Sequence, residues 1–296
     1  MSEERAAGVV GIGLLGRAVC EVLIASGYRI TGYDVLPERM HDLESLGGRA
    51  ASSAAEVARA GGPVFTILPT LVSVERAIVG PAGVLDGAGP GTVIIQMSTI
   101  SPALAVRMEA VARARGAALL DAPVSGTSSM VAQRESVVTV GGEPEVFERC
   151  RPVLEALARR VHHVGRCGMG SHLKLVTNLA MGLNTVALAE ALVLARKGGL
   201  DLAQTVDILS QGAAGSKMLE VRGPKMVEGR FDPLMKIDLF LKDIGLMLEA
   251  GEEHHVPLPL TRAMHELFIA ALTGGQAKDD LAGVIRLYER MAGIEP

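Results

Sequence analysis

Over residues 7–164 the chain alternates short β-branched runs with amphipathic stretches. The apolar runs at 7–10, 29–33, 64–68, 93–97, 118–121, 136–140 and 161–164 have the length and composition of strands. The stretches between them, at 17–25, 54–60, 102–115 and 144–158, carry helical periodicity, and two of them open on Pro102 and Pro144, where a missing N–H is no loss. Strand and helix in alternation predict βαβ units building a parallel sheet, an α/β fold of the doubly wound kind. Beyond Gly165 the strand-like runs stop. Long apolar-periodic segments punctuated by Gly198-Gly199, Gly212, Gly223-Pro224 and Gly251 predict an all-α C-terminal domain. The expected division is 1–164 and 165–296. The segment 171–197 is apolar almost all round, which predicts a helix covered on most sides. A small helical domain hardly covers it alone, so a homodimer or homotetramer is expected.

Composition narrows the class. At 296 residues, with 49% hydrophobic and 21% charged residues, the chain has the balance of a globular protein of two domains. A formal net charge of -4 lacks the basic face that phosphate binding needs, so no nucleic acid is expected as partner. Cys20, Cys150 and Cys167 are widely spaced and odd in number, which suits a reduced, cytoplasmic setting. The first residues, Met1-Ser2-Glu3-Glu4-Arg5, lack the basic-then-apolar order of a signal peptide. The apolar run 175–195 is interrupted by Asn178, Asn184 and Glu190 and preceded by Lys174, so a buried helix is expected and no membrane partner. The pairs His162-His163 and His254-His255 point apart on regular structure and make poor chelates, so no metal is expected.

The candidate chemistry starts at the first strand. Gly11-Ile12-Gly13-Leu14-Leu15-Gly16 follows residues 7–10 directly and opens a helix, where glycines permit a tight turn and close approach to a pyrophosphate at a helix N-terminus. Such a triplet alone is also compatible with an ordinary turn. Asp34, at the end of the second strand, adds an acid placed to accept hydrogen bonds from ribose hydroxyls, completing the dinucleotide (Rossmann) fingerprint. The other reading of Asp34 is a turn or cap residue ahead of Pro37. A carboxylate there repels a 2′-phosphate, which favours NAD over NADP. Farther on, Gly168-x-Gly170 leads into a helix on which Lys174 and Asn178, four apart, share a face. Such a pair can hold a hydroxyl or carbonyl oxygen and exchange its proton, although a solvated lysine and a local hydrogen-bonding asparagine fit the same spacing.

Together these segments resemble the β-hydroxyacid dehydrogenases, a family that includes 3-hydroxyisobutyrate, tartronate semialdehyde reductase and 6-phosphogluconate enzymes. The resemblance covers essentially the whole chain and rests on four motifs in order: Gly11-Ile12-Gly13-Leu14-Leu15-Gly16, Asp121-Ala122-Pro123-Val124-Ser125-Gly126, Gly168-x-Gly170-x-x-x-Lys174-x-x-x-Asn178, and Lys242-Asp243. It implies Lys174 as general acid/base, Asn178 orienting substrate, and Ser125, Gly126 and Thr127 holding a small carboxylate substrate. It also implies that Leu68-Pro69, Ser98-Thr99 and Lys242 border the dinucleotide, with Thr99 towards the nicotinamide end.

The chain departs from the family pattern at Thr127-Ser128-Ser129-Met130-Val131-Ala132-Gln133-Arg134, where side chains stand in place of glycine or alanine. A reshaped pocket is expected there, with Met130, Gln133 or Arg134 near substrate; for Gln133 and Arg134 an ordinary surface loop is the competing reading. Two alternatives share the fold. One is an imine reductase-like NAD(P)H enzyme, against which Lys174 speaks. The other is a non-catalytic NAD-binding relative, against which speak Lys174 and the lack of a basic extension.

Overall fold

The computed structural model describes residues 5–294. The N-terminal run read above falls largely on residues 1–4, outside the described residues. The chain divides into two compact units, Met1–Lys174 and Leu175–Pro296. The first is a doubly wound α/β unit and the second is helical, as the periodicity predicts.

In the first unit the order is β1 (Ala6–Val10), α1 (Leu14–Ala25), β2 (Arg29–Tyr33), α2 (Pro37–Ser45), β3 (Arg49–Ala50), α3 (Ala54–Arg59), β4 (Val64–Thr66), α4 (Leu71–Val79), α5 (Val84–Gly87), β5 (Val93–Gln96), α6 (Pro102–Ala114), β6 (Ala118–Asp121), β7 (Val124–Ser125), α7 (Ser128–Ala132), β8 (Val137–Gly141), α8 (Pro144–Leu157), β9 (Arg160–Gly165) and the start of α9 (Met169–Lys197). The nine strands form one sheet in the order β3-β2-β1-β4-β5-β6-β8-β7, with β9 paired to β8. The strand order reverses between β1 and β4, the position where doubly wound sheets open a ligand crevice.

Period-two alternation explains the two-sided core. Val9, Phe65, Ile95 and Leu120 are cross-strand neighbours and fully buried on one face. Val64, Ile94 and Leu119 are the corresponding row on the other, packed with residues of α3, α4 and α6. Helices on both faces are why these strands read as unbroken apolar runs.

The all-parallel expectation needs correction. β8 runs antiparallel to both β6 and β7, and only β9 resumes the parallel sense. The connection from β6 to β8 holds only the two-residue β7 and the five-residue α7, too short for a crossover helix, whereas α8 is long enough to bring β9 parallel to β8. Two strands also end earlier than expected, β4 at Thr66 and β5 at Gln96; Ile67 and Met97 still donate to the neighbouring strands, and the residues after them, Leu68 and Ser98, donate to side chains instead.

The second unit continues α9 and adds α10 (Leu202–Gln211), α11 (Lys217–Glu228), α12 (Ile237–Glu253), α13 (Pro259–Ala271) and α14 (Ile285–Met291). Phe240 and Phe268 meet edge to face at 5.5 Å in its core. Gly182 lets α9 pass closely, since a Cβ there would stand 2.6 Å from both Met264 Sδ and Phe240 Cζ. Among the described residues α9 is the one helix long and apolar enough to cross a membrane, and half of its most apolar stretch is buried inside the protein, as in a core helix.

Candidate active site

Strand register fixes where the candidate residues converge. Tyr33, Val10, Thr66, Gln96 and Asp121 are successive cross-strand neighbours at the C-terminal ends of β2, β1, β4, β5 and β6. Asp34, Gly11, Leu68, Ser98 and Ser125 each follow that row within a few residues, so one edge of the sheet carries them all.

The glycine loop has the shape a dinucleotide needs. Gly11 has φ +95°, and a Cβ there would lie 2.2 Å from Ile67 O, so the loop packs directly on the end of β4. A Cβ on Gly16 would lie 1.9 Å from Gly11 O, which closes the turn. Gly13 is the opposite case: nothing lies within 4 Å of its Cβ position. It caps the N-terminus of α1 without a side-chain acceptor for the first-turn N–H groups. Ile12 is buried, whereas Leu14 is exposed and Leu15 half-buried.

Asp34 holds the turn after β2, as its turn reading expects. Its Oδ2 accepts from Ile12 N–H at 2.7 Å and its Oδ1 from Leu36 N–H at 3.0 Å, so it ties the glycine loop to the turn after β2. Each carboxylate oxygen retains a second acceptor site, enough for a ribose diol. Farther along the same sheet edge, the Ser98 hydroxyl accepts from Leu68 N–H at 2.8 Å and joins the loops after β4 and β5. The buried Gln96 amide grips Ser98 from both sides, accepting from its N–H at 2.6 Å and donating to its carbonyl at 2.9 Å. Pro69 is exposed and Thr99 half-buried on the same two loops. Gln96 was not singled out by sequence; a polar residue ending the run Val93-Ile94-Ile95 was its only signal.

After β6 the chain runs through buried Ala122 and Pro123 to Ser125, Gly126 and Thr127. The Ser125 hydroxyl is buried without a hydrogen-bond partner, an arrangement that costs about 1–3 kcal/mol and suits a group awaiting a ligand. Gly126 has φ +151°. Thr127 Oγ1 caps α7, accepting from Met130 N–H at 3.2 Å, and stands 2.7 Å from Ser129 Oγ. The run expected as a reshaped loop is therefore partly a short helix. Met130 is half-buried on it; Gln133 and Arg134 are exposed, and Arg134 donates to Glu155 O at 2.9 Å.

Lys174 is half-buried in the second turn of α9. The start of that helix is held by Asp121, whose Oδ2 accepts from Ser171 N–H at 2.7 Å and Gly168 N–H at 3.1 Å while Oδ1 accepts from Ser171 Oγ–H at 2.5 Å. Burial pushes the Asp121 carboxyl above the usual carboxylate range, opposed by these same hydrogen bonds. In the second unit, the Asn178 amide donates to Asp243 Oδ2 at 2.9 Å, and Lys242 Nζ stands 3.0 Å from Asp243 Oδ1. Asp243, 1% exposed, thus joins two residues singled out from the sequence.

Comparison with known proteins agrees with this geometry. Residues 6–165 match the family described as the NAD binding domain of 6-phosphogluconate dehydrogenase, and residues 168–288 the family described as NAD-binding of NADP-dependent 3-hydroxyisobutyrate dehydrogenase. A 2-(hydroxymethyl)glutarate dehydrogenase of Eubacterium barkeri is 35% identical over 97% of this chain and 96% of its own. An L-threonate dehydrogenase of Cupriavidus necator is 31% identical, again over 97% and 96%. The crystal structure of a 3-hydroxyisobutyrate dehydrogenase from Salmonella typhimurium superimposes with a TM-score of 0.88 at 32% identity, covering 96% of this chain and 99% of that one. The chain belongs to the β-hydroxyacid dehydrogenase family, oxidoreductases that act on CH–OH groups with a nicotinamide cofactor.

Proposed function

We propose that this chain interconverts a small β-hydroxyacid and its semialdehyde, of the 3-hydroxyisobutyrate kind, using NAD, with Lys174 as general acid/base. One observation carries the reading: the Ser125 hydroxyl is buried without a partner on the segment that follows Asp121, and the Asp121 carboxylate holds the first turn of α9, one turn before Lys174. The relatives named for hydroxymethylglutarate, threonate and 3-hydroxyisobutyrate support the substrate class, since each name describes a carboxylate that bears a hydroxyl.

When bound, the nicotinamide accepts a hydride from the alcohol carbon or returns one to the aldehyde. Lys174, neutral in oxidation, takes the hydroxyl proton; in reduction its ammonium returns a proton to the nascent alkoxide. Ser125, Gly126 and Thr127 hold the carboxylate through a hydroxyl and backbone donors, which sets the distance from that group to the reacting oxygen. Asn178, one helical turn past Lys174, orients the substrate with its carbonyl oxygen. Gly11 to Gly16, Asp34, Leu68, Pro69, Thr99 and Lys242 serve the dinucleotide, and Asp34 favours NAD over NADP. We assign residues 1–164 to the cofactor domain and 165–296 to the substrate domain of a cytoplasmic homodimer or homotetramer.

The test compares a hydroxyacid with its methyl ester. The ester is expected to lose most of kcat/KM, because a neutral ester forfeits the charge-assisted bonds, worth about 1.5–3 kcal/mol. An ester turned over as efficiently as the acid contradicts the anchoring by Ser125, Gly126 and Thr127.

A further inference from the structure

We propose that Asp121 is a positioning residue of the reaction: its side chain fixes the first turn of α9, and so Lys174, relative to the segment Ser125-Gly126-Thr127. The inference rests on the reading of Lys174 as the group that exchanges the proton.

Asp121 stands at a fork. Its main chain ends β6 and reaches Ser125 through the buried pair Ala122-Pro123. Its side chain turns the other way, into the N-terminus of α9. The carboxylate is fully buried, so its charge needs donors from the protein. All three it receives come from one short stretch: Gly168 N–H, Ser171 N–H and Ser171 Oγ–H. A helix N-terminus is where unpaired N–H groups and the helix dipole favour an anion. The backbone locks the same joint, because a Cβ on Gly170 would stand 2.2 Å from Asp121 O and 2.9 Å from Thr139 O. The helix start therefore meets the sheet backbone to backbone, and a slide along α9 breaks charge-assisted hydrogen bonds. Lys174 lies three residues past Ser171, on the same helical face. Proton transfer requires an approach of about 2.6–3.2 Å. A misplacement of about 1 Å costs on the order of 10²-fold in rate, so this joint governs how well Lys174 works.

The variants Asp121→Ala, Asp121→Asn and Ser171→Ala are made alone, and Asp121→Ala and Ser171→Ala also with Lys174→Ala. The readouts are kcat, KM for the hydroxyacid, and NADH affinity by fluorescence, with kcat expressed per NADH-binding molecule. Asp121→Ala is expected to lower kcat by up to about 10²-fold with NADH affinity preserved. Asp121→Asn keeps an oxygen for the two N–H donors and an amide that Ser171 Oγ can accept from, so it is expected to recover kcat to within about tenfold of wild type. Ser171→Ala removes one bond and is expected to cost about tenfold or less. In the Lys174→Ala background, Asp121→Ala and Ser171→Ala are expected to cause no further loss, since a residue acting through Lys174 has nothing left to position.

Additive losses in that background, or a wild-type kcat per NADH-binding molecule in Asp121→Ala, overturn the proposal. Should Asp121→Ala not fold, the Ser171→Ala pair decides by the same criterion. Should Lys174→Ala alone retain turnover, the assignment of Lys174 fails, and the positioning role falls with it. An inactive Lys174→Ala beside a fully active Asp121→Ala refutes the positioning role alone.

Discussion

The two units each bury a carboxylate completely, and they solve the problem in different ways. In the second unit Asp280 forms an ion pair with Arg222 at 2.9 Å, where the two side chains are 0% and 4% exposed. Its oxygens also accept from the N–H groups of Leu234, Met235 and Ala282 at 2.9–3.0 Å. A full countercharge and three backbone donors stitch α11, the loop before α12 and the turn at Leu281–Val284 into one body. In the first unit, Asp121 meets only hydrogen-bond dipoles at the start of a helix, and burial raises its pKa. The difference separates two uses of a buried charge. Asp280 with its cation ties parts of the second unit together, whereas Asp121, held by dipoles alone, sets the register of a helix start on our proposal.

Asp280→Ala is the variant that breaks this comparison most severely. It leaves Arg222 buried and uncompensated, so unfolding stability is expected to fall by about 3–5 kcal/mol while kcat per folded molecule holds. Urea denaturation with activity measured on the folded fraction checks it; a loss of kcat without loss of stability reverses the assigned roles. A smaller effect is expected at the cofactor loop. Asp34→Asn with Val35→Arg removes the charge that repels a 2′-phosphate and supplies a partner, and Val35 is exposed and free to accept the change. The ratio of kcat/KM for NAD and NADP is expected to move towards NADP by an amount corresponding to about 1.5–3 kcal/mol. Equal use of both cofactors by the wild-type chain contradicts the role given to Asp34.

What the sequence made legible follows the strength of its local signals. The strands of the doubly wound half were visible because helices cover both faces and leave unbroken apolar runs such as Val93-Ile94-Ile95. The glycine loop was visible because Gly11 and Gly16 occupy positions that a Cβ would obstruct. α2 was not, since Pro37–Ser45 is mostly polar and only Leu43 is buried, leaving no apolar stripe to read. The antiparallel turn of β8 was hidden because strand direction is set by connection length and pairing, which periodicity does not encode. At the site, the candidate residues could be picked from motifs, but the partnerships that hold them could not. Gln96 reaches Ser98 two residues on, Asp121 reaches Ser171 across fifty positions, and Asp243 reaches Asn178 across sixty-five. The latter two partnerships exist only in the folded chain.

The central claim is that Lys174 exchanges the proton while hydride passes between substrate and nicotinamide. Its most direct test follows NAD reduction by a panel of short β-hydroxyacids with wild-type protein and Lys174→Ala in parallel, alongside NADH binding to both. The account predicts turnover of at least one acid by the wild type, a loss of about 10²–10⁴-fold in kcat for the variant, and closely similar NADH affinity in the two proteins. A Lys174→Ala protein that binds NADH and reduces NAD at the wild-type rate contradicts it.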